Sequence, residues 1–298
     1  MNKLNEYRRG LLCALGCYLI WGLFPLYWYP VMKSGMAADQ ILAQRICWSA
    51  VFAAAVLLLS GKGRQLAHLA AKRKTLAVFA ASAAAISVNW LVYLWAITHH
   101  RILEASLGYF VAPLVSVLFG RIFFGERLNR TKIAAVGLVA VGIVWLALPE
   151  ARLPWVSLML AVSFGIYGLL RKLAPADPLT GMTLETLLML PFAAAYLAYA
   201  AHNGVLVFSQ LPLLPQAVLV GSGVITVVPL LLFAMGAKRI SMSDMGMIQY
   251  LSPSMQFLLG ITLFGEAFDL YRFGGYAWVW LGIAVYLFGS LGRKTLPR

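Results

Sequence analysis

The chain has 298 residues, of which 62% are hydrophobic and 11% charged, with a formal net charge of +14 and three cysteines. A soluble fold of this length offers no core large enough for that much apolar side chain, so the bilayer must solvate most of it. The apolar runs are continuous rather than alternating, which excludes a membrane β-barrel, and no segment outside them is large enough for a soluble catalytic domain.

A helix rising 1.5 Å per residue needs about 20 residues to cross a hydrocarbon layer of about 30 Å. Ten stretches of that kind follow in chain order: 10–29, 38–60, 75–96, 104–124, 132–149, 154–172, 180–201, 213–236, 243–264 and 272–291. The first looks like a signal sequence up to Cys17. Only six apolar residues precede that cysteine, however, so an uncleaved first span is expected. Cys13, Cys17 and Cys47 fall within spans and form no C-x-x-C pair, which predicts packing rather than a disulfide or a metal site. The longest polar connection, 61–74, reads as a basic loop. With the N-terminus inside, 18 of the 24 lysines and arginines lie in inner segments and 4 in outer ones. This asymmetry accounts for the positive charge without nucleic acid and places both termini in the cytoplasm.

Residues 104–126, EASLGYFVAPLVSVLFGRIFFGE, return in altered form 140 positions later as DMGMIQYLSPSMQFLLGITLFGE. Pro113 falls on Pro253, Gly120 on Gly260, and Phe124-Gly125-Glu126 on Phe264-Gly265-Glu266. The chain is therefore read as two units, 1–149 and 150–298, of five helices each. An odd number of spans turns the second unit over in the membrane. Inverted repeats of this kind place a shared site at the midplane with one gate on either side, which is the architecture of secondary transport.

An ionised side chain at mid-bilayer costs about 2.5–3.5 kcal/mol on insertion scales, so the few present have a role or a partner. Arg45 lies inside the second span, and 140 positions on stands Glu185 in the seventh. The two are candidates for a substrate anchor or a pair bridging the halves; the alternatives are snorkelling of Arg45 and helix capping by Glu185. Glu104 and Asp244 open the fourth and ninth spans, where capping is the default reading, and Glu126 and Glu266 close them with a structural part in the turn. Glu104 and Glu185 are the acids through which protons could couple. Pro113 and Pro253 are expected to interrupt the fourth and ninth helices, and Pro229 to kink the eighth, each leaving a carbonyl without its helical partner. Around them Tyr109, Gln249 and Tyr250 are candidate cavity residues, with Asn89, Trp21, Trp90 and Tyr167 as the deeper polar and aromatic positions. The competing reading is plain kinks and interfacial aromatic belts. The His99-His100-x-x-x-Glu104 cluster matches no metal motif, and no phosphate-binding loop occurs, so neither cofactor nor ATP is expected.

The segments W-G-L-F-P at 21–25, N-W-L-V-Y-L-W-A at 89–96, EASLGYF with Pro113, Y-G-L-L-R-K at 167–172 and Q-Y-L-S-P at 249–253 resemble RarD-type proteins of the EamA branch of the drug/metabolite transporter superfamily. The resemblance spans essentially the whole chain. It implies a multi-pass permease of the bacterial inner membrane, traditionally labelled a chloramphenicol-sensitivity protein. Its partners would be bilayer lipid and a small organic substrate, whether amino acid, metabolite or drug, with a homodimer as an open alternative. Two positions depart from the family pattern: Gln44 stands where His usually precedes Arg45, and Ala112 where Asn usually precedes Pro113. An uncoupled channel or facilitator, or a non-transporting scaffold, is the alternative function. An enzyme would need a convergent nucleophile, base or metal set, which the sequence does not offer.

Overall fold

The computed structural model describes residues 3–99, 101–148, 155–263 and 270–291, with the side chains of 94, 97, 98, 102–104, 290 and 291 outside the described set. Among these residues the chain is helical throughout, with no strand. The helices are α1 (Lys3–Gly22), α2 (Phe24–Met32), α3 (Ala38–Leu59), α4 (Gly63–Ala71), α5 (Arg73–Thr98), α6 (Ile102–Phe124), α7 (Arg130–Ala147), α8 (Trp155–Leu173), α9 (Pro178–His202), α10 (Leu213–Ala237), α11 (Met242–Gln249), α12 (Leu251–Thr262) and α13 (Leu270–Leu291). Among the described residues, eight segments are long and apolar enough to cross a membrane: α1 with α2, α3, and α5 through α10. The expected ninth span is divided between α11 and α12.

The ends of these helices follow from local chemistry. Asp177 accepts from the Leu179 amide while Pro178 supplies a helical φ at the first position of α9. Asn129 caps α7 by accepting from Lys132 N, and Ser241 caps α11 by accepting from Asp244 N. Gly125, with φ of 61° in the left-handed region, ends α6.

Three expectations are corrected. The segment 61–74 is not a loop: α4 lies within it, turning Leu66 and Leu69 onto Phe79 and Leu184 while its polar face stays open. A short basic helix with one apolar stripe is stable at the membrane surface, whereas an irregular chain there would leave its backbone unsatisfied. The first span is broken at Leu23, because Pro25 lacks the amide that would bond the Trp21 carbonyl; that oxygen accepts from Gln256 Nε2 at 3.1 Å instead. Conversely, α6 runs on through Pro113 and α10 through Pro229, so of the two prolines expected to interrupt a helix only Pro253 stands beside a break, at Tyr250.

Helix α3 packs on α9 and α10, α7 on α13, α1 on α10 and α12, α5 on α8 and α9, and α6 on α8 and α11. A shift of 140 residues exchanges α1 and α2 with α8, α3 with α9, α5 with α10, α6 with α11 and α12, and α7 with α13. Under that exchange α3·α9 and α7·α13 map onto themselves, while α1·α10 becomes α5·α8, α6·α8 becomes α1·α12 and α3·α10 becomes α5·α9. Small residues make the crossings close: a Cβ at Gly246 would stand 2.7 Å from the Pro113 carbonyl oxygen, and one at Gly223 2.4 Å from that of Trp48.

Candidate functional site

Arg45 projects from the second turn of α3 into the bundle. Its Nε donates to Thr226 Oγ1 of α10 at 2.7 Å. The guanidinium lies over the ring of Trp90, 4.6 Å from its centroid, and 5.6 Å from that of Phe24. These contacts spread part of the charge over π faces and leave the terminal guanidinium nitrogens without a described protein acceptor. The phenols of Tyr93 and Tyr109 stand within electrostatic reach of the guanidinium, and their rings meet edge to face at 5.8 Å. Among the described residues no carboxylate pairs with Arg45. Arg45, Trp90, Tyr109 and Phe24 are only partly covered and Tyr93 keeps 38% of its surface accessible.

Next to this group lies an aromatic layer of Tyr18, Trp21, Phe164, Tyr167 and Phe233, to which Ile46 and Trp90 also pack. Trp21 meets Phe164 at 5.8 Å and Tyr18 at 5.5 Å, and Tyr167 stacks on Phe233 at 5.5 Å. On its far side Tyr167 comes within electrostatic reach of Glu185 and Arg171. Arg171 Nη1 pairs with Glu185 Oε2 at 3.3 Å, both side chains being 2% exposed. Arg171 Nη2 donates to the Pro178 carbonyl at 3.2 Å. Glu185 Oε1, Arg171 Nε and Tyr167 Oη have no hydrogen-bond partner among the described residues, which makes this a sealed but incompletely satisfied polar pocket.

The same end of the bundle is fastened by further contacts. Glu6 pairs with Arg239 at 3.0 Å, Lys62 with Asp177 at 3.0 Å and Lys132 with Asp244 at 3.2 Å. Asp244 also accepts from Tyr7 at 2.9 Å and Tyr286 at 3.1 Å, so it is a three-way acceptor between helices, while the cap expected of it is supplied by Ser241. Glu126 accepts from the amides of Met242 and Ser243 and from Ser243 Oγ at 2.6, 3.0 and 2.6 Å, capping α11 from α6. Lys172 reaches the carbonyls of Ala237 and Ile240, and Lys238 that of Ala176.

The residues singled out in the sequence therefore separate. Arg45, Trp90 and Tyr109 stand together, and Trp21 and Tyr167 belong to the aromatic layer. Glu185 is closed off with Arg171, so Arg45 and Glu185 do not bridge the halves. Asn89 donates to the Leu160 carbonyl at 2.9 Å and to Ser163 Oγ at 3.1 Å, fastening α5 to α8. Tyr250 is fully buried and donates to the Phe110 carbonyl at 3.0 Å, while Oε1 of the buried Gln249 has no hydrogen-bond partner among the described residues. The Glu104 side chain, His100 and Glu266 lie outside the described residues. Sequence reasoning missed Phe24, Tyr93 and Thr226 as neighbours of Arg45, and missed Arg171, which it assigned to the inner surface by charge. A signal for Tyr93 exists in hindsight: it and Phe233 are 140 positions apart, as are Phe24 and Phe164.

An EamA-like transporter family model matches residues 8–148. Protein RarD of Salmonella typhi is 38% identical over 287 residues, covering 96% of this chain and 97% of that protein. The chain belongs to the RarD group of EamA-like transporters. An uncharacterized transporter of Pseudomonas aeruginosa is 39% identical over 293 residues, covering 98% and 97% of the two chains. A solved crystal structure at 19% identity superposes with a TM-score of 0.70 over 96% of this chain and 99% of the other, a likeness of fold alone. This RarD-type chain is thus a multi-pass membrane transporter, and the Pseudomonas relative is itself named as a transporter.

Proposed function

We propose that the chain is a secondary-active transporter of small organic molecules in the bacterial inner membrane. Ten spans form two inverted halves, 1–149 and 150–298, with both termini in the cytoplasm. The observation that carries this reading is the contrast between the two matching charges: Arg45 has no carboxylate partner among the described residues and its neighbour Tyr93 keeps accessible surface, while Glu185 is closed off with Arg171 beside the aromatic layer, near the contacts around Asp244 and Glu126. With the inner end carrying the basic residues, this is an outward-facing state. The exchange-symmetric packing of the helices supports a second, inward-facing state of similar construction. Glu185 is the acid whose protonation would release Arg171 and loosen the inner seal, so it is the coupling residue in this scheme.

Counterflow tests the reading. Proteoliposomes preloaded with a mixture of amino acids and organic acids should transiently concentrate a labelled member of that mixture from outside. A channel gives no such overshoot, and a scaffold gives no flux at all; either result ends the carrier reading. Accumulation driven by an imposed proton gradient separates coupled transport from facilitation.

A further inference from the structure

The transport reading leaves the substrate class open, and resting on that reading, we infer that the substrate is an organic monoanion, a carboxylate attached to a planar apolar body, held at Arg45. A guanidinium carries five N–H donors in a fixed fork. At Arg45 the Nε donor is used on Thr226, and the terminal nitrogens have no described protein acceptor. The guanidinium carbon stands over the Trp90 ring, 4.6 Å from its centroid, so the aromatic contact uses none of the terminal N–H donors. A carboxylate matches the edge of the fork in plane with two parallel hydrogen bonds, which an ammonium or a neutral amide cannot do.

Charge balance points the same way. When the chamber closes over its cargo, water leaves and the guanidinium remains among Phe24, Trp90, Tyr93 and Tyr109. A neutral cargo would strand an uncompensated cation there, and a cationic one would add repulsion; a monoanion cancels the charge. A dianion such as phosphate would overcompensate a single arginine in a wall with no second described cation. The walls then set the rest of the molecule. Tyr93 and Tyr109 meet edge to face beside the fork, giving an apolar surface with two hydroxyl groups for a flat body.

Purified full-length protein in nanodiscs is titrated with benzoate, phenylacetate and indole-3-acetate, each against its amide, with inorganic phosphate as a further anion. The expected result is at least tenfold tighter binding of the acids than of the amides and of phosphate. Arg45→Gln should erase the acid preference and Arg45→Lys keep part of it. The wild-type comparison needs no variant, so a poorly folding Arg45→Gln does not protect the idea. Equal binding of acids and amides, no binding of either, phosphate binding as tightly as the acids, or a preference that survives in folded Arg45→Gln overturns it. Failure of the underlying reading looks different: tight, Arg45-dependent acid binding without acid flux in proteoliposomes would sink transport and leave the anion site. Flux of amides or amines untouched by Arg45→Gln would sink the anion site and leave transport.

Discussion

Arg45 and Glu185 occupy matching positions 140 residues apart, each seven residues from the start of its helix and so about 10 Å in from opposite ends of the bundle. Their surroundings could hardly differ more. Arg45 has one hydroxyl, two aromatic faces and partial exposure; Glu185 has an arginine at 3.3 Å and almost no accessible surface. The difference is written into the sequence as well as the conformation. The position 140 residues before Arg171 is Val31, and the counterpart of Phe233 is Tyr93. The Arg171 end can thus hold a buried ion pair that the Arg45 end cannot copy, and Tyr93 brings a phenol beside Arg45 where its counterpart Phe233 has plain hydrocarbon. In the proposed scheme one of these two charges is met by cargo, while the other is met by the protein itself.

The largest effect comes from breaking the sealed side of this comparison. Arg171→Ala leaves Glu185 buried and unpaired, and removal of one partner of a buried pair costs about 3–5 kcal/mol. Thermal unfolding in detergent should fall sharply for Arg171→Ala. The double variant Arg171→Met, Glu185→Leu, which fills similar volume without charge, should recover most of the loss. A double variant no more stable than the single would mean that the pair is not what closes this end. Glu126→Ala comes next. It deprives α11 of a carboxylate accepting three hydrogen bonds, with an expected loss of about 1–2 kcal/mol. Amide exchange at Met242 and Ser243 should quicken about tenfold, since about 1.4 kcal/mol is a factor of ten, while exchange in α7 stays as it was. Uniform acceleration would instead make Glu126 a global stabiliser with no special hold on α11.

These two sites also mark how far the sequence could be read. Apolar length and charge asymmetry predicted the long helices, because the bilayer imposes both on any spanning segment. The site was legible where a residue is costly by itself: Arg45 stands out in a membrane span whatever surrounds it. Its neighbours were not, since Phe24, Tyr93 and Thr226 are ordinary in such helices and meet Arg45 only through packing of α5 and α10 on α3 and of α2 on α10. Arg171 misled for the opposite reason. At the end of α8, beside Lys172, it has the signature of an interfacial charge, and only the fold shows that Glu185 draws it inward. The break at Leu23 was legible in principle from Pro25, but α10 crosses Pro229 unbroken, so a proline alone does not say which helix yields.

A smaller effect sharpens the open side. Thr226→Val keeps the shape of the side chain and removes the oxygen that accepts from Arg45 Nε, one hydrogen bond worth about 1–2 kcal/mol to a charged donor. The fold should hold, and acid binding to the chamber should weaken by about five- to tenfold as the fork loses its fixed direction. Unchanged affinity would show that Trp90 and Phe24 alone orient the guanidinium.

The smallest effect belongs to the surface of the sealed end, and its sign can be fixed in advance. Partial burial raises the Asp177 carboxyl, but hydrogen bonds from Thr180 Oγ1 and Lys62 Nζ outweigh it and hold the group below its ordinary value of 3.8. A carboxyl lowered in the folded state contributes stability above its unfolded value and loses it as pH falls through the folded one. Wild-type protein should therefore lose this contribution below about pH 4. Asp177→Asn keeps a capping oxygen for α9 but cannot pair with Lys62. Its melting temperature should be slightly lower at neutral pH and converge on that of the wild type in acid. Because Asp177 and Lys62 are each about a third exposed, added salt should shrink the difference further. If the gap is constant from pH 7 to pH 3 and indifferent to salt, the pair with Lys62 contributes nothing, and the cap alone fastens the start of α9.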